Sequence, residues 1–387
     1  MIVGRHAISG DILELTVSDG RIAAVRKLEG SNGEDLPWLA PGLVDLQVNG
    51  WGGHDFNRAD IDEETVCAVA KGMREQGVRA FLPTVITASQ EAICNALSVI
   101  AGARRKHAWL TGMIPGIHVE GPFISSQDGA RGAHPRDHVR EPSCDEFDQW
   151  QEASGNLVKL VTLCPATEGA DAFIRHARAG GCLVSIGHSA ADTTDIARAV
   201  QAGAGFSTHL GNGIASTLPR HPNLLWAQLA NLNLQAMFIA DGHHLDRETL
   251  TAMLRAKGVE RSILVSDMVA LAGMAPGRYR QPIGGDVELS ADGRLSMVGM
   301  ATLAGAATPL ADGVALAASL EGFSLGDAVT MAAVNPARAL GLETGFVEGA
   351  AADFIAFHWV PGDRHLRLCA TVSGADFAAS PKKTPGE

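Results

Sequence analysis

Glu120, His188, His209 and Asp267 each close a short apolar run, in IHVE, VSIGH, FSTH and LVSD. Two imidazoles and one carboxylate form a three-ligand set suited to Zn²⁺, with a fourth position left for water. Such an ion brings the pKa of water down to about 7. Asp267 is then placed to take a proton from that water and return it to a leaving nitrogen. Alone, each histidine reads as a hydrogen-bonded core residue. Together, with acidic strand ends on either side in the order, they read as a metal-dependent hydrolytic centre. Two further runs end in polar side chains, Gln47-Val48-Asn49 and Asp241-Gly242-His243-His244. His118 lies two residues before Glu120 and shares its side of the strand, which fits either a supporting or a packed core role. Lys159 sits early in LVKLVTLCP, toward the opposite end from Cys164-Pro165, and reads as structural.

Residues this far apart meet only if the fold gathers strand ends. Eight continuous apolar runs, of the kind buried parallel strands show, occur in order: GLVDLQVN, VRAFLPTVI, MIPGIHVE, LVKLVTLCP, CLVSIGH, GFSTHL, LQAMFIADG and SILVSDM. Helical periods such as ETVCAVAKGMREQG and DTTDIARAVQAGA fall between them. The pattern predicts an α/β fold, a (β/α)8 TIM-type barrel over 40–345, with the site at the C-terminal strand ends. No GxGxxG follows the first run, which argues against a doubly wound sheet. Both ends of the chain alternate apolar and polar residues, with a hairpin turn at Asp19-Gly20. Residues 1–39 and 346–380 are therefore expected to build one small β-sandwich domain, and the tail SPKKTPGE is expected to fray.

Composition narrows the function. Lys plus Arg is 31 against 43 Asp plus Glu, a net charge of -12, which disfavours nucleic acid as a partner. An anionic substrate would need a local cationic pocket. The six cysteines form no CxxC pair, the opening MIVGRHAISGDILEL has no charged segment followed by an apolar run, so no signal peptide is expected, and no apolar stretch is long enough for a bilayer. A soluble, reduced, cytoplasmic protein is expected.

The chain resembles the N-acetylglucosamine-6-phosphate deacetylases of the amidohydrolase superfamily. The resemblance rests on PGLVDLQVNGWGG (41–53), FLPTVIT (81–87), GIHVEGPFI (116–124), GAHPRDHVREP (132–142), VTLCP (161–165), GHSAA (187–191), THLGN (208–212), IADGHHLD (239–246), LVSDMVALAG (264–273), TLAGA (302–306) and NPARALGL (335–342). It implies that Glu120, His188 and His209 hold the metal and that Asp267 is the acid–base. It further implies that His134 polarises the acetyl carbonyl. Asn212, Gly213, His244 and Gln47 are assigned to substrate. Arg220 is assigned to the phosphate, donated across a homodimer interface. The Gln47-Val48-Asn49 pattern matches a branch with a single metal, expected as Zn²⁺, with Fe²⁺, Co²⁺ or Mn²⁺ as alternatives. Departures at Gly211 and Gly213, in Leu218-Pro219-Arg220-His221-Pro222-Asn223 and across 274–297 surround the sugar and phosphate. Alternative substrates are a galactosamine phosphate, an unphosphorylated amino sugar or an N-acyl amino acid. A non-catalytic binding barrel is a further alternative, disfavoured because no ligand or acid–base residue is lost.

Overall fold

The computed structural model describes residues 1–29, 33, 35–281, 285–299 and 303–374. The tail from 380 and the end of the expected terminal domain, 375–380, lie outside them, as does Thr302. The eight apolar runs become eight parallel strands, numbered here one to eight. They are Leu43–Val48, Val78–Ile86, Ile117–Glu120, Val158–Leu163, Leu183–Ile186, Phe206–Ser207, Gln235–Ile239 and Ser262–Val265, paired in that order. A parallel bridge between Val48 and Met268 joins strand eight back to strand one. Two bonds flank it, Asp267 N–H to Gln47 O at 3.0 Å and Asn49 N–H to Met268 O at 2.8 Å. The barrel is thereby closed.

Helices cover the outside because their periodicity allows it. In Glu63–Glu75, Val66, Val69, Ala70 and Met73 are buried at helical spacing, and Asp62 caps the first turn by accepting from Thr65 N–H. Inside, the two-residue period of strands stacks the chemistry in layers. Leu160, Phe206, Met237 and Ile263 belong to one apolar cluster. Two residues further along strand four and two past Phe206 come Thr162 and Thr208, hydrogen-bonded to each other at 2.7 Å. His118 Nε2 reaches Thr162 Oγ1 at 2.8 Å, and Ser185 Oγ reaches Thr208 Oγ1 at 2.6 Å. Burial holds His118 down to about 4, so it is a neutral core histidine beneath Glu120. One layer higher stand Glu120, His188, His209 and Asp267. Lys159 is exposed and takes no part.

Strands from both termini form a six-stranded mixed sheet in the order Arg367–Val372, Phe354–His358, Trp38–Pro41, Ile2–His6, Ile12–Ser18, Arg21–Lys27. It has its own apolar cluster, including Leu15, Ile22, Leu39 and Phe354. Within the stretch 274–297, three strands, Gly277–Gln281, Gly285–Leu289 and Leu295–Met297, pair as an antiparallel sheet. No helix among the described residues is long and apolar enough to cross a membrane.

Lys257 closes the helix Arg247–Lys257 with no exposed surface, its Nζ donating to Gln228 O at 2.8 Å and Asn231 O at 2.7 Å. Burial, and then Arg261, pull it down to about 8 from 10.5. The unfolded chain therefore binds more protons between those values, and stability rises with pH across that window, by about 3 kcal/mol at most. Relative to Lys257→Met, the wild-type melting temperature should climb between pH 8 and 10.5. A constant difference would contradict this.

Candidate active site

The C-terminal mouth of the barrel opens into a cavity of about 350 Å³. Its wall includes Glu120, His134, His188, His209 and Asp267, together with Asn212, Gly213 and His244. Glu120 ends strand three, while His188, His209 and Asp267 lie just past strands five, six and eight. These last three have left-handed backbones, with φ of 45°, 27° and 52°. Only two other non-glycine residues among those described do so, Asp19 and Asn156, so unfavourable backbone is concentrated at the site. Each such residue costs on the order of 1 kcal/mol, which the surrounding strands must offset. The sharp turn brings the side chain back over the barrel mouth.

The four ligand-type groups converge. His209 Nε2 is 3.0 Å from Glu120 Oε1 and 3.1 Å from His188 Nε2. His188 Nε2 is 3.2 Å from both Glu120 Oε1 and His134 Nε2. The ligand atoms of Glu120, His134 and His188 all lie within 4.8 Å of one another. His188 Nδ1 is 3.0 Å from Ala130 O, which can only accept. That carbonyl fixes the proton on Nδ1 and leaves a lone pair on Nε2, aimed at the other groups. Buried lone pairs and a carboxylate gathered at this spacing fit a divalent cation, and the imidazole–carboxylate set suits a transition metal.

Each group's charge follows from its surroundings. Burial pushes Glu120 up, but His188 and His209 outweigh it and hold its carboxyl well below the usual range. His209 is raised, since its bond to Glu120 overcomes burial. Burial, then His188, take His134 down to about 3, so its ring is neutral. Burial and the facing charge of Glu120 lift Asp267 to about 6. Asn49 Nδ2 donates to Asp267 Oδ1 at 2.8 Å.

The expected substrate residues divide. Asn212, Gly213 and His244 reach the cavity wall. Gln47 is wholly buried behind Glu120, to which its Nε2 donates at 2.9 Å, and it is absent from the wall. Arg220 is exposed on the loop after strand six, also away from the wall. Gly213 has a further role beside the metal-type cluster, since a Cβ there would lie 2.8 Å from His188 Nδ1.

Four residues at the site escape a reading of the chain. Asp55 and Asn57 reach the wall from the segment after strand one, and Gln281 from the three-stranded sheet. Thr87, just past strand two, meets His134 Nδ1 with its Oγ1 at 2.8 Å. Gly121 must be glycine beside it, with φ of 83° and a Cβ position that collides with Thr87 Oγ1. A search of strand ends restricted to titratable groups passes over Thr87; one that includes hydroxyls would find it. Thr87→Val should reduce kcat about tenfold with metal content unchanged, because His134 loses the partner that orients it. An unchanged kcat would remove Thr87 from the site.

The sequence profile of the amidohydrolase family matches residues 38–383. This chain belongs to that family. Within it, the chain is 36% identical over 332 residues to an N-acetylglucosamine-6-phosphate deacetylase of Bos taurus, covering 82% of this chain and 78% of the relative. It is 32% identical to an N-acetylgalactosamine-6-phosphate deacetylase of Escherichia coli O157:H7, covering 85% of both. The solved N-acetyl-D-glucosamine-6-phosphate deacetylase of Mycobacterium smegmatis superposes with a TM-score of 0.84 at 27% identity, over 96% of this chain and 98% of that one.

Proposed function

We propose that the protein hydrolyses the acetamide of N-acetyl-D-glucosamine 6-phosphate, giving acetate and D-glucosamine 6-phosphate, in amino-sugar catabolism. The observation that carries this reading is the convergence of buried Glu120, His188 and His209 beside a half-buried Asp267 in one cavity. These three residues would hold one divalent ion per chain, Zn²⁺ by donor type, with Fe²⁺, Co²⁺ and Mn²⁺ as alternatives. When bound, the ion polarises the acetyl carbonyl and makes water more acidic. Asp267 receives the proton of the attacking water on its carboxylate and returns it to the departing nitrogen. Asn49 holds that carboxylate in place. His134, braced by Thr87, is neutral and directs Nε2 toward the acetyl oxygen. Asn212, the Gly213 backbone and His244 face the sugar, and Gln47 acts on it only through Glu120.

Arg220 grips the phosphate from the neighbouring subunit of a homodimer. A guanidinium fork suits a phosphate, and an exposed Arg220 away from its own cavity is what donation in trans requires. A phosphorylated substrate and cysteines with no disulfide among the described residues favour the cytoplasm. The neighbouring reading is the galactosamine epimer, favoured by the likeness to the E. coli relative.

Acetate release by zinc-loaded protein decides between them, using both N-acetylhexosamine 6-phosphates, unphosphorylated N-acetylglucosamine and an N-acetyl amino acid. Arg220→Ala should raise KM for the phosphorylated sugar about 10- to 100-fold, the worth of a charged hydrogen bond, and hardly affect the neutral one. Equal effects on both would remove Arg220 from the phosphate.

A further inference from the structure

Asp241 lies two residues past strand seven, and its side chain is 4% exposed. One carboxylate serves two neighbouring histidines. Oδ1 accepts the backbone N–H groups of His243 and His244, both at 2.8 Å, which fixes the turn. Oδ2 meets His244 Nδ1 at 2.7 Å. His244 lines the cavity with Asp267, and its Nε2 has no hydrogen-bond partner among the described residues. His243 points elsewhere, its Nε2 3.1 Å from Asp292 O in the turn of the three-stranded sheet. Burial pushes the Asp241 carboxyl up, but its hydrogen bond with His244 holds it below its ordinary value, so it is ionised and can only accept.

We propose that Asp241 is a positioning residue for the deacetylation, obliging His244 to carry its proton on Nδ1 and turning Nε2 toward the sugar. The inference rests on the deacetylase reading, in which His244 faces substrate. It accounts for a buried carboxylate in a loop that otherwise needs only a turn. An imidazole held in one tautomer and one rotamer meets the substrate without reorganising.

Asp241→Asn is the informative variant because the turn dictates its orientation. The two backbone N–H groups require the amide oxygen on their side, so the NH₂ faces His244 Nδ1. The shape is kept while the tautomer is reversed. With zinc-loaded protein and N-acetylglucosamine 6-phosphate, Asp241→Asn should lower kcat/KM about 30-fold, mainly through KM, with metal content and melting temperature near wild type. In a His244→Ala background the same change should alter kcat/KM by less than about threefold, since the partner is already gone. The ¹⁵N spectrum of His244 should report Nδ1–H in the wild type and Nε2–H in the variant. Equal losses in both backgrounds, or Nε2–H in the wild type, would overturn the role of Asp241 while wild-type turnover left the deacetylase reading standing. No acetate release by the wild type would overturn both. Should the variant fail to fold, the wild-type ¹⁵N spectrum decides alone.

Discussion

Asp267→Asn should leave the metal in place and cut acetate release by about 10²–10⁴-fold, the span of a lost general acid–base. The substitution keeps the size of the side chain. It also keeps an oxygen for Asn49 Nδ2, which now donates to Asp267 Oδ1 at 2.8 Å. What it removes is a carboxylate able to hold a proton and give it back. Burial and Glu120 place the Asp267 carboxyl at about 6, close to neutrality, where gain and loss of a proton are both accessible. The check is acetate release against metal content on the same preparation. Near-normal turnover would show that another group moves the proton.

His188→Ala should abolish activity by a different route, through loss of the ion itself. Its Nε2 lies within 3.2 Å of Glu120, His134 and His209, so it is the hub of the cluster. Removing one orienting partner of a metal-bound imidazole typically costs 10–100-fold in affinity, and removing the ligand should cost more than about 100-fold. Dialysed variant protein should contain almost no metal, where wild type retains one ion per chain. Retention of a full ion by the variant would assign the metal to other residues. Two tightly held ions in the wild type would contradict the single-metal reading of Gln47 and Asn49.

The strands were the legible part of the fold, and for a physical reason. A parallel strand buried on both faces must be apolar throughout, so VRAFLPTVI stands out as a run and the strand Val78–Ile86 spans it. Glu120, His188, His209 and Asp267 were legible because a barrel brings every strand end to one mouth. His134 was different. It lies in the long segment after strand three, where no period marks a side chain as inward, and only resemblance picked it out. The three-stranded sheet was hidden because GRYRQ, GDVEL and LSM are short and half polar. Neither a core face nor a helical stripe shows in such segments, though the sheet carries Gln281 to the cavity. Asp241 and Thr87 act on other side chains, and contacts made across the fold leave no mark in spacing.

The left-handed backbones of His188, His209 and Asp267 tie activity to the condition of the whole ring. None of the three sits there by its own preference; the closed circuit of strands holds them, sealed between Gln47 and Asp267. A spring kept compressed by its housing relaxes first when the housing slackens. Heating, or accumulated mutations on the helices outside the barrel, would let these three residues drift toward ordinary backbone geometry while the strands were still paired. The enzyme would then lose function as a folded molecule, and its working temperature range would be narrower than its melting curve suggests.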